Sequence, residues 1–162
     1  MPILVTGFEP FSGSTLNPSQ LIVAALAESQ LSEKLVLEVL PVEYERAATR
    51  LEQLIAQHDP QTVVCIGQAE GRASISIETR AQNLDDANLA DNAGDTRSSQ
   101  TISNPGAPEL PTTLPVDALL AQLSSAGIPA ESSSSAGTFV CNHIFYVMQQ
   151  LLEGTDVRSG FI

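Results

Sequence analysis

The sequence has no tryptophan, two cysteines, two histidines and only seven lysines and arginines among 162 residues. Each shortage excludes something. Cys65 and Cys141 lie far apart, without the C-x-x-C spacing of a metal or redox pair, so neither a disulfide framework nor a cysteine-rich metal site is expected. Two reduced thiols suit the cytoplasm. The seven basic residues are scattered and the formal charge is -12, which repels a phosphate backbone and leaves no electrostatic footprint for nucleic acid. The acidity itself reads as solubility. No apolar run approaches the roughly eighteen residues that a membrane-spanning helix needs, so no membrane partner is expected. The opening MPILVTGFEP lacks the basic region, apolar stretch and cleavage site of a signal peptide, and reads as a first strand.

What is present suits one α/β domain over residues 1–162, with 43% hydrophobic residues and a chain long enough to bury a core unaided. Ile3 to Thr6 reads as a short buried strand, followed by the loop GFEPFSGSTLNPS. Asn17 can cap a helix whose first position Pro18 suits, because the missing donor is not needed there. Leu35 to Val42 reads as a second strand. The next helix carries Ala47, Ala48, Leu51, Leu54 and Ile55 on one face, and TVVCIG is a third strand apolar throughout. Strand, helix, strand, helix, strand with continuous apolar runs is the pattern of βαβ units and a parallel sheet. SISIE alternates as a further strand. The long polar segment from Leu84 to Thr113 is expected to be structureless, and such loops are functional or mobile. PVDALLAQLSSAG predicts a helix with Leu119, Leu120 and Leu123 facing inward, and a last helix follows TFV with Ile144, Phe145, Val147, Met148, Leu151 and Leu152 at helical spacing.

Cys141 stands where this last apolar helix begins. A helix N-terminus favours the thiolate, which is the nucleophilic form. The competing reading is a small buried apolar residue, and for Cys65, inside TVVCIG, that reading is preferred. His58 ends a polar helix and reads as a solvated cation. His143 is two residues from Cys141, a separation at which helical side chains do not face each other, so a local structural role is expected. Glu78 ends SISIE beyond a Gly-rich turn, near the strand ends where ligands bind in open α/β sheets. Asp85, Asp86, Asp91 and Asp95 lack the D-x-[DN]-x-[DN]-G order of a calcium loop and read as an acidic loop; no metal is expected. GFEPFSG is no phosphate loop, because the lysine of that motif is missing. Its Phe8 and Phe11 either line a small apolar pocket or divide between core and surface.

VTGFEPFSGSTLNPS, GQAEGRASISIETRAQN, DDANLADN and SAGTFVCNHIFY together resemble the pyroglutamyl peptidase (pyrrolidone-carboxylate peptidase) family of cysteine peptidases, in the same order along the chain. The resemblance implies a three-layer α/β/α sandwich with a mostly parallel twisted sheet. It implies an exopeptidase that removes N-terminal pyroglutamate from peptides through a thioester, without cofactor or metal, in the cytoplasm and as a homo-oligomer. It makes Cys141 the nucleophile and Glu78 the acidic member of a Cys-His-Glu constellation. Phe8, Phe11, Phe139 and Val140 would enclose the lactam ring, with Asn17 and Gln68 in segments that position it. Two departures follow from the same comparison. Asn88 stands where the family pattern has an arginine near the reacting carbonyl, which weakens oxyanion stabilisation. The family's catalytic histidine follows a Gly-Phe-Ile-like strand, and this sequence stops at Ile162, so a missing C-terminal segment and impaired turnover are expected. The alternative function is a pyroglutamyl-binding or interaction domain without chemistry.

Overall fold

A computed structural model describes residues 2–162. The central sheet is built from β1 (Ile3–Phe8), β2 (Leu35–Leu40), β3 (Thr62–Cys65) and β8 (Arg158–Phe161), all parallel, in the order β2-β1-β3-β8. Between them run the helices α1 (Pro18–Ala27) and α2 (Tyr44–His58). A later excursion carries β4 (Ile75–Glu78), β5 (Arg80–Gln82), β6 (Glu109–Pro111), α3 (Val116–Ser125), β7 (Ala130–Ser133) and α4 (Val140–Leu151). β4 pairs with β7 in parallel, and β5 pairs with β6 antiparallel.

Alternation along β1 puts helices on both faces of the sheet. Leu4 and Phe8 point into the main core with Leu51 and Leu54 of α2 and Ile144, Phe145 and Met148 of α4. Gly7, on the opposite face, meets α1 so closely that a Cβ there would lie 2.5 Å from the Ser19 carbonyl oxygen. Glycine is therefore required for α1 to seat. Asn17 caps α1, its Oδ1 accepting from Ser19 N at 3.0 Å and from Ser19 Oγ at 2.8 Å. On α2, Tyr44, Ala47, Ala48, Leu51 and Leu54 are buried, each leucine contributing roughly 1.5–3 kcal/mol of transfer free energy.

The α/β architecture and the parallel sheet agree with the sequence reading, and the differences lie in the second half. β5, β6 and β7 are three or four residues long with little apolar content, so no periodicity announces them. Leu119, Leu120 and Leu123 of α3 are only half-buried. The polar segment expected to be structureless is pinned in place. Asp85 and Gln100 exchange backbone hydrogen bonds, Asn92 N donates to Val42 O, and Asp91 accepts from the backbone N–H groups of Tyr44, Ala93 and Asp95. Asp85 and Asp91 are thus buried structural acids rather than solvated loop residues. None of the described helices is long and apolar enough to cross a membrane.

Candidate active site

The carboxyl ends of β3 and β8, the turn after β3, β4 and the first turn of α4 surround a cavity of about 600 Å³. Its wall includes Gly67, Gln68, Arg72, Ser76, Glu78 and Cys141, with an apolar side formed by Ile22, Ile66, Ile75 and Phe161. A second groove, of about 560 Å³ between β2 and α2, is lined by Glu9, Glu38, Arg46, Thr49 and Arg50 and contains neither cysteine nor histidine. The first cavity is the one that holds Cys141 and Glu78.

Cys141 is the second residue of α4, and a Cβ on Gly67 would lie 2.9 Å from its Sγ and 2.7 Å from the Phe161 ring. A side chain at position 67 would displace the thiol. The first N–H groups of α4 have no carbonyl within the helix to bond, and Cys141's own N–H favours the thiolate. That effect is outweighed. Burial above all, then the charges of Cys65 and Glu78, push the Cys141 thiol up to about 12. The backbone at the helix start lowers the thiol pKa, as the sequence position leads one to expect, and desolvation of the sulfur exceeds that help.

Glu78 is buried at the end of β4. Its Oε1 accepts from Arg72 Nη1 at 2.9 Å, and its Oε2 has no partner. Gln68 Oε1 and Ser76 Oγ are likewise buried without partners, so three unpaired oxygens border the wall around the thiol. Buried polar atoms are ordinarily paired, so these oxygens are open to a partner from water or from a ligand. Arg72 also donates through Nη2 to Ser135 O at 3.0 Å. The cavity thus contains a guanidinium although Asn88, exposed on its loop, does not border it.

Of the residues singled out from sequence, Cys141, Glu78 and Gln68 are brought together, and five others do not border this cavity. Phe8 is core, its ring centroid 6.4 Å from that of Phe161, which itself forms part of the wall. Phe11 packs on Phe139 at 5.9 Å, and Phe139 meets Tyr44 edge-on at 5.6 Å. Val140 is buried in the core, and Asn17 is occupied as a cap that also donates to Glu9 O. His143 is turned away: its Nδ1 lies 2.8 Å from Asp85 Oδ2, and its ring stands edge-on to Tyr44. Asp85 Oδ2 also accepts from Arg97, which stacks 4.1 Å above the Tyr44 ring. Sequence reading passed over Arg72 and Ser76. The visible signal was proximity, since both flank the Gly-rich turn and alternating strand that lead to Glu78.

The sequence model of a family described as pyroglutamyl peptidase matches residues 1–162. The chain belongs to the pyroglutamyl peptidase family. A pyrrolidone-carboxylate peptidase of Gloeobacter violaceus is 48% identical over 168 residues, covering 100% of this chain and 80% of the relative. One from Thermosipho melanesiensis is 40% identical over 164 residues, covering 100% and 81%. Among solved structures, pyroglutamyl peptidase I of Bacillus amyloliquefaciens superposes with a TM-score of 0.94 at 36% identity, covering 99% of this chain and 78% of that one. The pyrrolidone carboxyl peptidase of Thermus thermophilus gives 0.91 at 38% identity, covering 98% and 82%. Pyroglutamyl peptidases are cysteine peptidases, in keeping with a cysteine at the cavity wall.

Proposed function

We propose that the chain acts on peptides with an N-terminal pyroglutamate, with Cys141 as nucleophile and Glu78 as its acidic partner. Sγ adds to the carbonyl that follows the lactam ring, the C–N bond breaks and the amine leaves with a proton. Water then cleaves the thioester and frees pyroglutamate. The supporting observation is the convergence of Cys141 with the unpaired oxygens of Glu78, Gln68 and Ser76 on one cavity. Gln68 Oε1, buried on this wall without a partner, is available to accept from a lactam N–H, and the α4 N-terminus and Arg72 offer donors to a developing oxyanion. Phe8, Phe11, Phe139, Val140 and Asn17 shape this region from behind the wall.

Neither His58 nor His143 borders the cavity, so no imidazole of these 162 residues takes the thiol proton or protonates the leaving amine. Burial pushes the Cys141 thiol up to about 12, and a thiol without a neighbouring base is a weak nucleophile at neutral pH. That observation favours a second reading, in which the chain binds pyroglutamyl peptides without cleaving them. The proposal carries with it one domain over 1–162, a reducing cytoplasmic setting that suits two free thiols, and self-association. Hydrolysis of a fluorogenic pyroglutamyl amide by the chain and by Cys141→Ala decides between the readings. Slow release that disappears in the variant supports the peptidase. Binding of pyroglutamyl amide without release supports the second reading. Equal release by both proteins, or no binding, contradicts the assignment.

A further inference from the structure

Cys141 and Glu78 reach the cavity from different elements, α4 and β4, and their separation must be held by something other than the cavity itself. Asn142, the residue after the nucleophile, is fully buried. Its Oδ1 accepts from Gln82 N at 2.9 Å, and its Nδ2 donates to Gln82 O at 2.9 Å and Leu84 O at 3.0 Å. We propose that Asn142 is a positioning residue for the acyl-transfer reaction, its carboxamide locking the first turn of α4 to the strand that continues directly from Glu78. The inference rests on the reading of Cys141 as nucleophile given above.

Asn142 is the third residue of α4, and a side-chain amide that is fully buried has to find hydrogen-bond partners. A polar residue buried there is accounted for by what it joins. β6 covers one edge of β5, and on the other edge Gln82 N–H, Gln82 O and Leu84 O all find their partner in Asn142. The amide serves as a one-residue strand. Only Thr79 separates β4 from β5, so a single short stretch carries Glu78 at one end and the Asn142 partners at the other. The segment before the nucleophile is tied to the same stretch. Asp86 N donates to Thr138 O at 3.0 Å, Thr138 Oγ1 donates to Asp86 O at 2.6 Å, and Thr79 N donates to Ser133 O at 2.7 Å. Cys141 is thereby gripped on both sides by the chain that presents Glu78. A shift of this grip displaces Sγ relative to the carboxylate, and misplacement of about 1 Å is enough to cost on the order of 100-fold in reaction.

Asn83 is a matched control: it clasps Ser103 by the same kind of two-way amide pairing, Nδ2 to Ser103 O and Ser103 N to Oδ1, both at 2.9 Å, with no bond to α4. The test labels the 162-residue chain with a pyroglutamyl chloromethyl ketone and with an acetylglycyl chloromethyl ketone. In each case the thiolate sulfur displaces chloride to give a thioether, the proton passing to buffer, and Cys141 adducts are counted by mass spectrometry. The wild-type chain is expected to prefer the lactam reagent. Asn142→Ala should reduce that preference about tenfold or more, with reaction toward the acyclic reagent little changed, while Asn83→Ala keeps it at a comparable loss of thermal stability. If Asn142→Ala does not fold, Thr138→Val, which removes the Thr138 Oγ1–Asp86 O bond and leaves the backbone bond from Asp86 N to Thr138 O in place, should show a smaller loss in the same direction. Unchanged preference in the variants, or equal loss in Asn83→Ala, overturns the positioning role. Absence of any lactam preference in the wild-type chain instead overturns the functional reading, and the positioning role with it.

Discussion

Burial raises the proton affinity of both thiols of this chain, and they differ in almost everything else. Burial pushes both Cys65 and Cys141 up to about 12. Cys65 ends β3 in the middle of the core, its sulfur 3.7 Å from Met148 Sδ. Cys141 opens a helix, borders the cavity and shares its wall with Glu78, Arg72 and Gln68. Proton affinity therefore does not separate the proposed nucleophile from the packing residue here. What distinguishes them is access and neighbours: Cys65 is packed in the core against Met148, whereas Cys141 borders a cavity whose wall also holds the unpaired oxygens of Glu78, Gln68 and Ser76.

The comparison breaks most easily by substitution. Cys141→Ala is expected to abolish all cysteine-dependent release from a pyroglutamyl amide. Cys65→Ala should leave that release intact and lower stability by about 1–2 kcal/mol, read from the urea midpoint. If Cys65→Ala abolished release while folding normally, the roles would be reversed. The next largest effect is on pH. Both pKa values are raised, so both thiols stay protonated at neutrality, and alkylation of Cys141 by iodoacetamide should climb about tenfold per pH unit with no plateau below about 10. Cys65 should react far more slowly and only as the chain opens, its rate rising with urea. A plateau near neutrality for Cys141 would show an activated thiolate. The smallest effect concerns the neighbouring charge. Glu78→Gln removes a negative group that favours the thiol, so alkylation of Cys141 at fixed pH should rise about two- to tenfold with Cys65 unchanged. A fall in the Cys141 rate would contradict that electrostatic role.

The same contrast explains what could be read in the sequence. β1, α1, β2, α2, β3 and α4 carry apolar runs or helical periodicity, and Asn17-Pro18 marks a helix start through local chemistry alone. RAQ, ELP and AESS carry neither signal, because their strand character comes from pairing with residues that are distant in sequence for β5 with β6 and for β4 with β7. In the candidate site, Cys141 was legible as a cysteine at a helix start and Glu78 as a carboxylate at a strand end. The sign of the thiol shift was not, since desolvation depends on what the fold packs around the sulfur. Nor was Asn142, whose meaning appears only once β5 lies beside α4. Phe8 illustrates the opposite case: its pattern left pocket and core both open, the family resemblance placed it at the lactam ring, and tertiary packing places it one layer behind the wall.

The most direct measurement is protection of the two thiols from iodoacetamide by added pyroglutamyl amide, with prolyl amide as the control, each cysteine followed by mass spectrometry. A pyroglutamyl cavity at Cys141 predicts slower alkylation of Cys141 with the lactam ligand alone and no change at Cys65. Equal rates at Cys141 with and without the ligand, or protection of both cysteines together, would contradict it.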